Sequence, residues 1–446
     1  MIFKVENLGI IQHAEIDLSK DLILFCGHNN TGKTYLAYAI YYLLIANLDG
    51  SLFAPSFALA DVPSKYQDKK LKSVDLIDFF NSFDNLEAVF REQLSRYMNE
   101  LRRFLGSSEQ SKPTKFDIII SEEERNNKLM AMDFIIHSGN PQRQEWRKSS
   151  NSPNVFFENE NIIDLGYVNF FLVPRIIRSR VMMFPAERSA TIVFSKELSL
   201  NKTEFFEKLL ITDEQTIDMS DLFDLARQRV NRYARPIRDN LKIAEDLTNL
   251  AKNSSGFNSL AEELEKQILG GKIHVSQYGN LTYSPDHTSD VALGMELSSS
   301  TVGSLSSLVF YLRHLAQKGD TLILDEPELS LHPDNQRIIA RFFGSLVNAG
   351  FKLIISTHSD YIVREINNLI MLSKKSRKTA GLRKKYGYTK EQVLQPQQVG
   401  AYLFKRGEPG PKSIEVSETG LEISTIDEVV ADLNQSSQNI YFCLFD

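Results

Sequence analysis

Two cysteines and a single tryptophan in 446 residues set the first limits on this chain. Cys26 and Cys443 lie towards opposite ends of the sequence. No disulfide framework is implied, and a reducing, cytoplasmic setting is the natural expectation. No apolar run approaches the ~20 residues that a membrane-spanning helix needs, so no membrane partner is expected. The chain starts directly on an alternating segment, Ile2-Phe3-Lys4-Val5-Glu6-Asn7-Leu8, without a basic-then-apolar leader. There is no surplus of positive charge either. A formal net charge of −6 gives no global attraction to nucleic acid or acidic lipid, so any such binding must come from a local patch. No internal repeat is visible, and the helical pattern between 200 and 270 is too short and irregular for a long coiled-coil arm. What is present, 42% hydrophobic and 24% charged residues, describes a soluble globular protein. It fits two or three average domains, or one large α/β domain carrying insertions.

The most informative stretch is Gly27-His28-Asn29-Asn30-Thr31-Gly32-Lys33-Thr34, which reads G-x-x-x-x-G-K-T. Leu22 to Phe25 before it is a short apolar run expected to form a buried strand, and Tyr35 to Ile45 after it reads as a helix. Strand, glycine loop and helix in that order aim backbone N–H groups and a positive helix end at a triphosphate. Lys33 supplies a point charge for the β- and γ-phosphates, and Thr34 a hydroxyl for Mg²⁺. ATP and Mg²⁺ are therefore the expected ligands, held by Gly27, Asn29, Asn30, Thr31, Gly32, Lys33, Thr34 and Tyr35.

Further along, Ala14 to Leu18 reads as a second alternating strand and residues 71–105 carry helical spacing. Phe116–Ile120 and Ala131–Ile136 read as a hairpin-like pair around a charged turn, and 138–165 as exposed loop. Val181–Phe184 is another buried-strand candidate, and 200–270 a compact helical insertion closed by Gly270-Gly271. Lys272–Val275 and Leu281–Tyr283 read as a hairpin turning at Gly279-Asn280. Ser304–Gln317 and Asn335–Val347 read as helices. Residues 374–385 hold seven basic side chains: Lys374, Lys375, Arg377, Lys378, Arg383, Lys384 and Lys385. They read as a solvated loop or as a nucleic-acid contact.

The second half of a nucleotide site follows from two more apolar runs. Thr321 to Glu326 is a strand ending in two carboxylates. Asp325 is placed to hold Mg²⁺ and Glu326 to orient and deprotonate an attacking water. Lys352 to Thr357 is a strand followed by His358, at the carboxyl end where ligands bind in open α/β sheets. A neutral imidazole there can hydrogen-bond a γ-phosphate.

The glycine loop, Leu322–Pro333 (LILDEPELSLHP) and Ile354–Ser359 (IISTHS) together resemble an ABC-type ATPase of the AAA family. The likeness is to stand-alone bacterial ATPases related to the SMC, DNA-recombination and OLD-family proteins. Phe184–Ala190 (FPAERSA) is similar to that group as well. The resemblance implies an α/β fold, an ABC-type P-loop head with a mixed sheet and helical insertions. Its core is expected over 1–48 and 180–372, interrupted by insertions at 50–175 and 200–270 and followed by a basic loop and small α/β tail at 375–446. It also implies that Leu297-Ser298-Ser299-Ser300-Thr301 is the signature loop, with Ser298 and Ser299 reaching the nucleotide of a second copy in a head-to-head dimer. Ser300 and Thr301 replace that loop's usual glycines, and a plain serine N-cap is the alternative reading. No clear glutamine links the two halves; Glu187-Arg188 stands in about the right place.

In OLD-family relatives a nuclease domain follows the ATPase. The stretch after His358 contains no Asp-x-Asp pair and is too short for one. The resemblance then implies an ATP-hydrolysing sensor or scaffold that controls a separately encoded effector in bacterial anti-phage defence. A DNA-binding repair ATPase and a nucleotide-locked scaffold with little turnover stay open. An energising subunit of a membrane transporter is disfavoured by the insertions and the altered signature loop.

Overall fold

The computed structural model describes residues 1–45, 73–82, 114–132, 134–137, 145–157, 176, 179–195, 233–287, 292–421 and 424–445. The chain divides into two compact units. One comprises Met1–Leu8, Gln12–Ser19 and Tyr42–Ser179, the other Gly9–Ile11, Lys20–Tyr41 and Arg180–Asp446.

The second unit is built on a six-stranded sheet. Its order is Lys412–Ile414, Val399–Phe404, Leu22–Gly27, Lys352–Thr357, Thr321–Asp325 and Val181–Phe184. All neighbours are parallel except the first pair, so the sheet is mixed. The continuous apolar runs follow from burial on both faces. Leu22, Leu24, Leu322, Leu324, Leu353 and Ile355 share one hydrophobic cluster with Val309, Leu312, Phe342, Phe343, Ile366 and Leu369 of the helices. The alternate residues Ile23, Phe25, Ile323 and Ile354 are buried too. The strand register places Asp325 beside Ser356, Thr357 beside Cys26 and Gly27 beside Phe404, so the carboxyl ends of four strands finish level. That edge is where open α/β sheets put their ligands. Four helices follow or precede these strands: Lys33–Ile45, Ser300–His314, Pro333–Asn348 and Asp360–Met371.

In the first unit Ile2–Leu8 lies between Ile11–Asp17 and Lys115–Ile119, with Phe3 stacked on Phe116. A separate four-stranded sheet runs Ser73–Asp75, Asn154–Phe157, Glu145–Lys148, Phe134–His137.

Several expectations need correction. Phe116–Ile120 and Ala131–Ile136 are not a hairpin: a helix, Glu122–Ala131, separates two strands that belong to different sheets. Ser121 caps it by accepting the Glu124 N–H, and three glutamates fill its first turn, a favourable place for negative charge. The segment 138–165 contains two strands rather than loop alone. The basic run is not a loop, since Arg377–Tyr386 is a helix capped by Ser376, with Arg383, Lys384 and Lys385 in its last turn and Gly387 left-handed after it. The core does not stop at 372, because Val399–Phe404 pairs with Leu22–Gly27 inside the sheet. The tail ends in a long helix, Ser424–Phe445. Within 71–105 the described part is a short strand and the helix Leu76–Asn81; 83–105 lies outside the described residues, as does 196–232 of the helical insertion. The Gly271–Val275/Leu281–Pro285 hairpin is as expected, with Gly279 left-handed at its turn. Among the described residues no helix is long and apolar enough to cross a membrane.

Candidate functional site

The glycine loop closes the strand Leu22–Gly27 and opens the helix Lys33–Ile45. Two glycines are required by its geometry. At Gly27, φ is +119° and a Cβ would sit 2.1 Å from the Phe404 carbonyl oxygen. At Gly32, φ is +95° and a Cβ would press on Ile11 at 2.7 Å. Thr31 braces the loop by donating from Oγ1 to the His28 carbonyl at 2.7 Å. Lys33 is only 5% exposed, and its Nζ donates to the carbonyls of Gly27 at 3.2 Å and His28 at 2.5 Å. Burial pulls its amine down to about 8, against the raising pull of Glu326 and Asp325.

Asp325 ends its strand 2% exposed. Thr34 Oγ1 donates to both its carboxylate oxygens, at 3.2 and 3.0 Å, and Ser356 Oγ donates to Oδ1. Burial raises the Asp325 carboxyl to about 6, with the hydrogen bonds from Ser356 and Thr34 working the other way. The next residue, Glu326, has φ +46°, an uncommon value for a non-glycine side chain. Its N–H donates to the Ser356 carbonyl at 3.0 Å. His358 Nδ1 lies 2.7 Å from the Gly27 carbonyl; a carbonyl only accepts, so Nδ1 donates there. Nε2 faces Glu326 Oε1 at 3.4 Å and donates to it when both ring nitrogens carry protons. The hydrogen bond from His358 holds the Glu326 carboxyl below its ordinary range.

These side chains open on one cleft of about 380 Å³, lined by Ile10, residues 29–35, Glu326 and His358. Asn29, Asn30, Thr31, Gly32, Lys33, Thr34, Tyr35, Glu326 and His358 are thus brought together, with Asp325 bonded beneath Thr34 and Gly27 at the loop's start. Ser298 and Ser299 do not line it. Ser298 Oγ donates to the Gly294 carbonyl, and Ser299 caps the helix Ser300–His314 by accepting the Val302 N–H. The cap reading of that loop therefore holds within one chain. The cradle fits phosphate and the metal donor set fits magnesium: a hydroxyl and a carboxylate side by side are hard oxygen ligands. Among the described residues no group of three or more His, Cys, Asp or Glu converges on a metal position. Thr34 and Asp325 are the residues that would hold such an ion, whose charge would offset that of bound phosphate.

Three groups escaped the sequence reading. Ser356 is bonded to Asp325 and lies in IISTHS, so its place after an apolar run was the signal. Glu328 is half-buried, desolvation raises its carboxyl, and Oε1 accepts the His358 N–H at 2.6 Å. Its Oε2 has no hydrogen-bond partner among the described residues. Ile10 reaches the cleft from a distant turn that no local pattern marks. Of Glu187-Arg188, placed in the linking position by sequence, Arg188 is 4% exposed and, among the described residues, donates to main-chain carbonyls.

The family model described as an AAA ATPase domain matches residues 1–363. No curated protein sequence matches the chain. Among solved structures, an Smc head bound to the C-terminal winged-helix domain of ScpA is 10% identical, covers 93% of this chain and 97% of its own, and has a TM-score of 0.38. An Smc head with an extended coiled coil, bound to the C-terminal domain of ScpA derived from Pyrococcus furiosus, is 10% identical with 98% of each chain covered and a TM-score of 0.35. The SMC head domain from Thermotoga maritima is 9% identical, with 93% and 98% covered and a TM-score of 0.30. Such low identities and scores leave the functional reading to the site itself.

Proposed function

The chain belongs to the AAA ATPase domain family, and on that premise we propose that it binds Mg²⁺·ATP in the cleft of residues 29–35 and hydrolyses it. One observation carries the proposal: Lys33, Thr34, Glu326 and His358 share a cleft while Asp325 is hydrogen-bonded to Thr34. Lys33 and the loop N–H groups neutralise and orient the phosphates. Thr34 and Asp325 would hold the metal, whose charge would offset that developing on the γ-phosphoryl group. Glu326, kept ionised by its histidine neighbour, accepts the proton of the attacking water. His358 releases its Nε2 towards the γ-phosphate when the nucleotide is seated.

One chain supplies half of each complete site in this reading. The N-terminus of the helix Ser300–His314 carries N–H groups without intrahelical acceptors, and the preceding Leu297 is 72% exposed. Ser298 and Ser299 meet the nucleotide of a second copy there, so ATP joins a head-to-head dimer and hydrolysis opens it. The dimer is the sensor or scaffold for a separately encoded effector, and anti-phage defence is the role the motifs' resemblance favours. The test is Glu326→Gln, which should keep ATP binding, abolish turnover and trap the dimer. Equal hydrolysis by both proteins refutes the reading, and tight binding with almost no wild-type turnover selects a nucleotide-locked scaffold.

A second reading, nucleic-acid binding, is favoured by one feature. Lys374, Lys375, Arg383 and Lys390 surround a cavity of about 390 Å³ at the basic helix Arg377–Tyr386. Phosphate contacts there would make affinity fall steeply with salt.

A further inference from the structure

Arg188 is a buried cation whose hydrogen bonds join two segments that are far apart in sequence. Nε donates to the Ser304 carbonyl at 2.8 Å, inside the first turns of the helix Ser300–His314. The other end of the guanidinium donates to the carbonyls of Asp325 at 3.0 Å, Glu326 at 3.2 Å and Pro327 at 3.4 Å, and also to Pro185 at 3.3 Å. Burying a guanidinium is costly unless its donors are satisfied. This one spans a helix and the turn carrying Glu326, and that turn is held in unusual geometry, with φ +46° at Glu326 and +65° at Ser330. Strained backbone of this kind persists only where its surroundings over-determine it. A second tie runs parallel to the first: Thr301 Oγ1 donates to the Ser330 carbonyl at 2.7 Å.

We infer that Arg188 is a positioning residue that makes the Glu326 turn and the N-terminus of the Ser300–His314 helix one rigid piece, so that the hydrolytic base and the loop offered to the second copy move together. This rests on the ATP-sandwich reading above. Its chemistry requires arginine: a planar fork donates in two directions at once, whereas a lysine ammonium sits at one point. The link does not touch the phosphate loop, so it should govern catalysis and pairing while leaving nucleotide capture alone.

The test compares wild type, Arg188→Lys and Thr301→Val, each alone and in the Glu326→Gln background. Turnover, ATP affinity of the turnover-dead proteins, ATP-dependent dimerisation by light scattering and thermal midpoints are measured. Arg188→Lys should bind ATP within about threefold of its parent, lose about 100-fold in kcat and fail to form the ATP-dependent dimer. Thr301→Val, which trims one hydroxyl, should lose about tenfold in kcat at unchanged KM. It keeps the proposal falsifiable if Arg188→Lys does not fold. Wild-type kcat and dimerisation in a folded Arg188→Lys or in Thr301→Val overturn the inference, as does a loss of ATP affinity that accounts for the loss of turnover. A wild-type protein that neither hydrolyses ATP nor dimerises with it sinks the underlying reading instead, and this inference with it.

Discussion

The cleft at the strand ends and the basic helix Arg377–Tyr386 use charge in opposite ways. In and behind the cleft, Lys33, Asp325 and Arg188 are all buried, and that burial shifts the pKa of each. On the helix and just before it, Lys374, Lys375, Arg377, Lys378, Arg383, Lys384 and Lys385 are half-buried or exposed. Buried charge costs several kcal/mol per ion before any partner is counted, whereas exposed charge costs almost nothing. A fold that keeps the expensive kind has a use for it. The cheap kind is compatible with use, with solubility alone, or with both.

That contrast can be broken or sharpened experimentally, and the largest effect expected is at Glu326. Glu326→Gln should lower kcat by about 10³-fold while ATP still binds, as read by single-turnover assays beside equilibrium dialysis. Comparable rates in the two proteins would place the base elsewhere. Lys33→Met should abolish ATP binding and yet raise the thermal midpoint, because it replaces a buried amine bonded only to carbonyls with an isosteric apolar chain. A fall in the midpoint would mean that the lysine is kept for stability. Ser356→Ala removes a donor to the Asp325 carboxylate, and the Mg²⁺ concentration for half-maximal activity should rise about 10- to 100-fold.

The two shifted groups also define a pH window. Asp325, raised to about 6, protonates as pH falls through that value and loses its metal. Lys33, lowered to about 8, loses its charge as pH rises through that value and weakens phosphate binding. The profile of kcat/KM, which reports the unliganded protein, should therefore be bell-shaped between those limits, and one flat from pH 5 to 9 contradicts both assignments. Smallest of all, Lys384→Ala with Lys385→Ala should change stability by less than about 0.5 kcal/mol. If the helix binds nucleic acid, the same pair lowers the salt slope of binding by about 2.

The same contrast explains what could be read from residues alone. Leu22–Gly27, Thr321–Asp325 and Lys352–Thr357 were legible because a strand buried on both faces must be apolar throughout, and because a glycine, a carboxylate pair or a histidine marks the end of each. The site residues on those ends came with them. Val399–Phe404 carries the same kind of run, but its partner Leu22–Gly27 is hundreds of positions away, and no local pattern announces a pairing of that range. Glu122–Ala131 and Arg377–Tyr386 were misread for the reverse reason. Both are polar helices with few buried residues, and their signals are caps and end charges rather than periodicity. Arg188 illustrates the limit most sharply. Its position after Phe184-Pro185 was visible, but that its fork would reach Ser304 and the Glu326 turn could be seen only once the strands Val181–Phe184 and Thr321–Asp325 were side by side.

The central claim is that this cleft takes Mg²⁺·ATP through Lys33, and calorimetric titration of ATP with magnesium into wild type and Lys33→Ala tests it most directly. Saturable binding of one nucleotide per chain by wild type, absent in Lys33→Ala, is the expected result. No binding by a folded wild type, or equal binding by the two proteins, would contradict it.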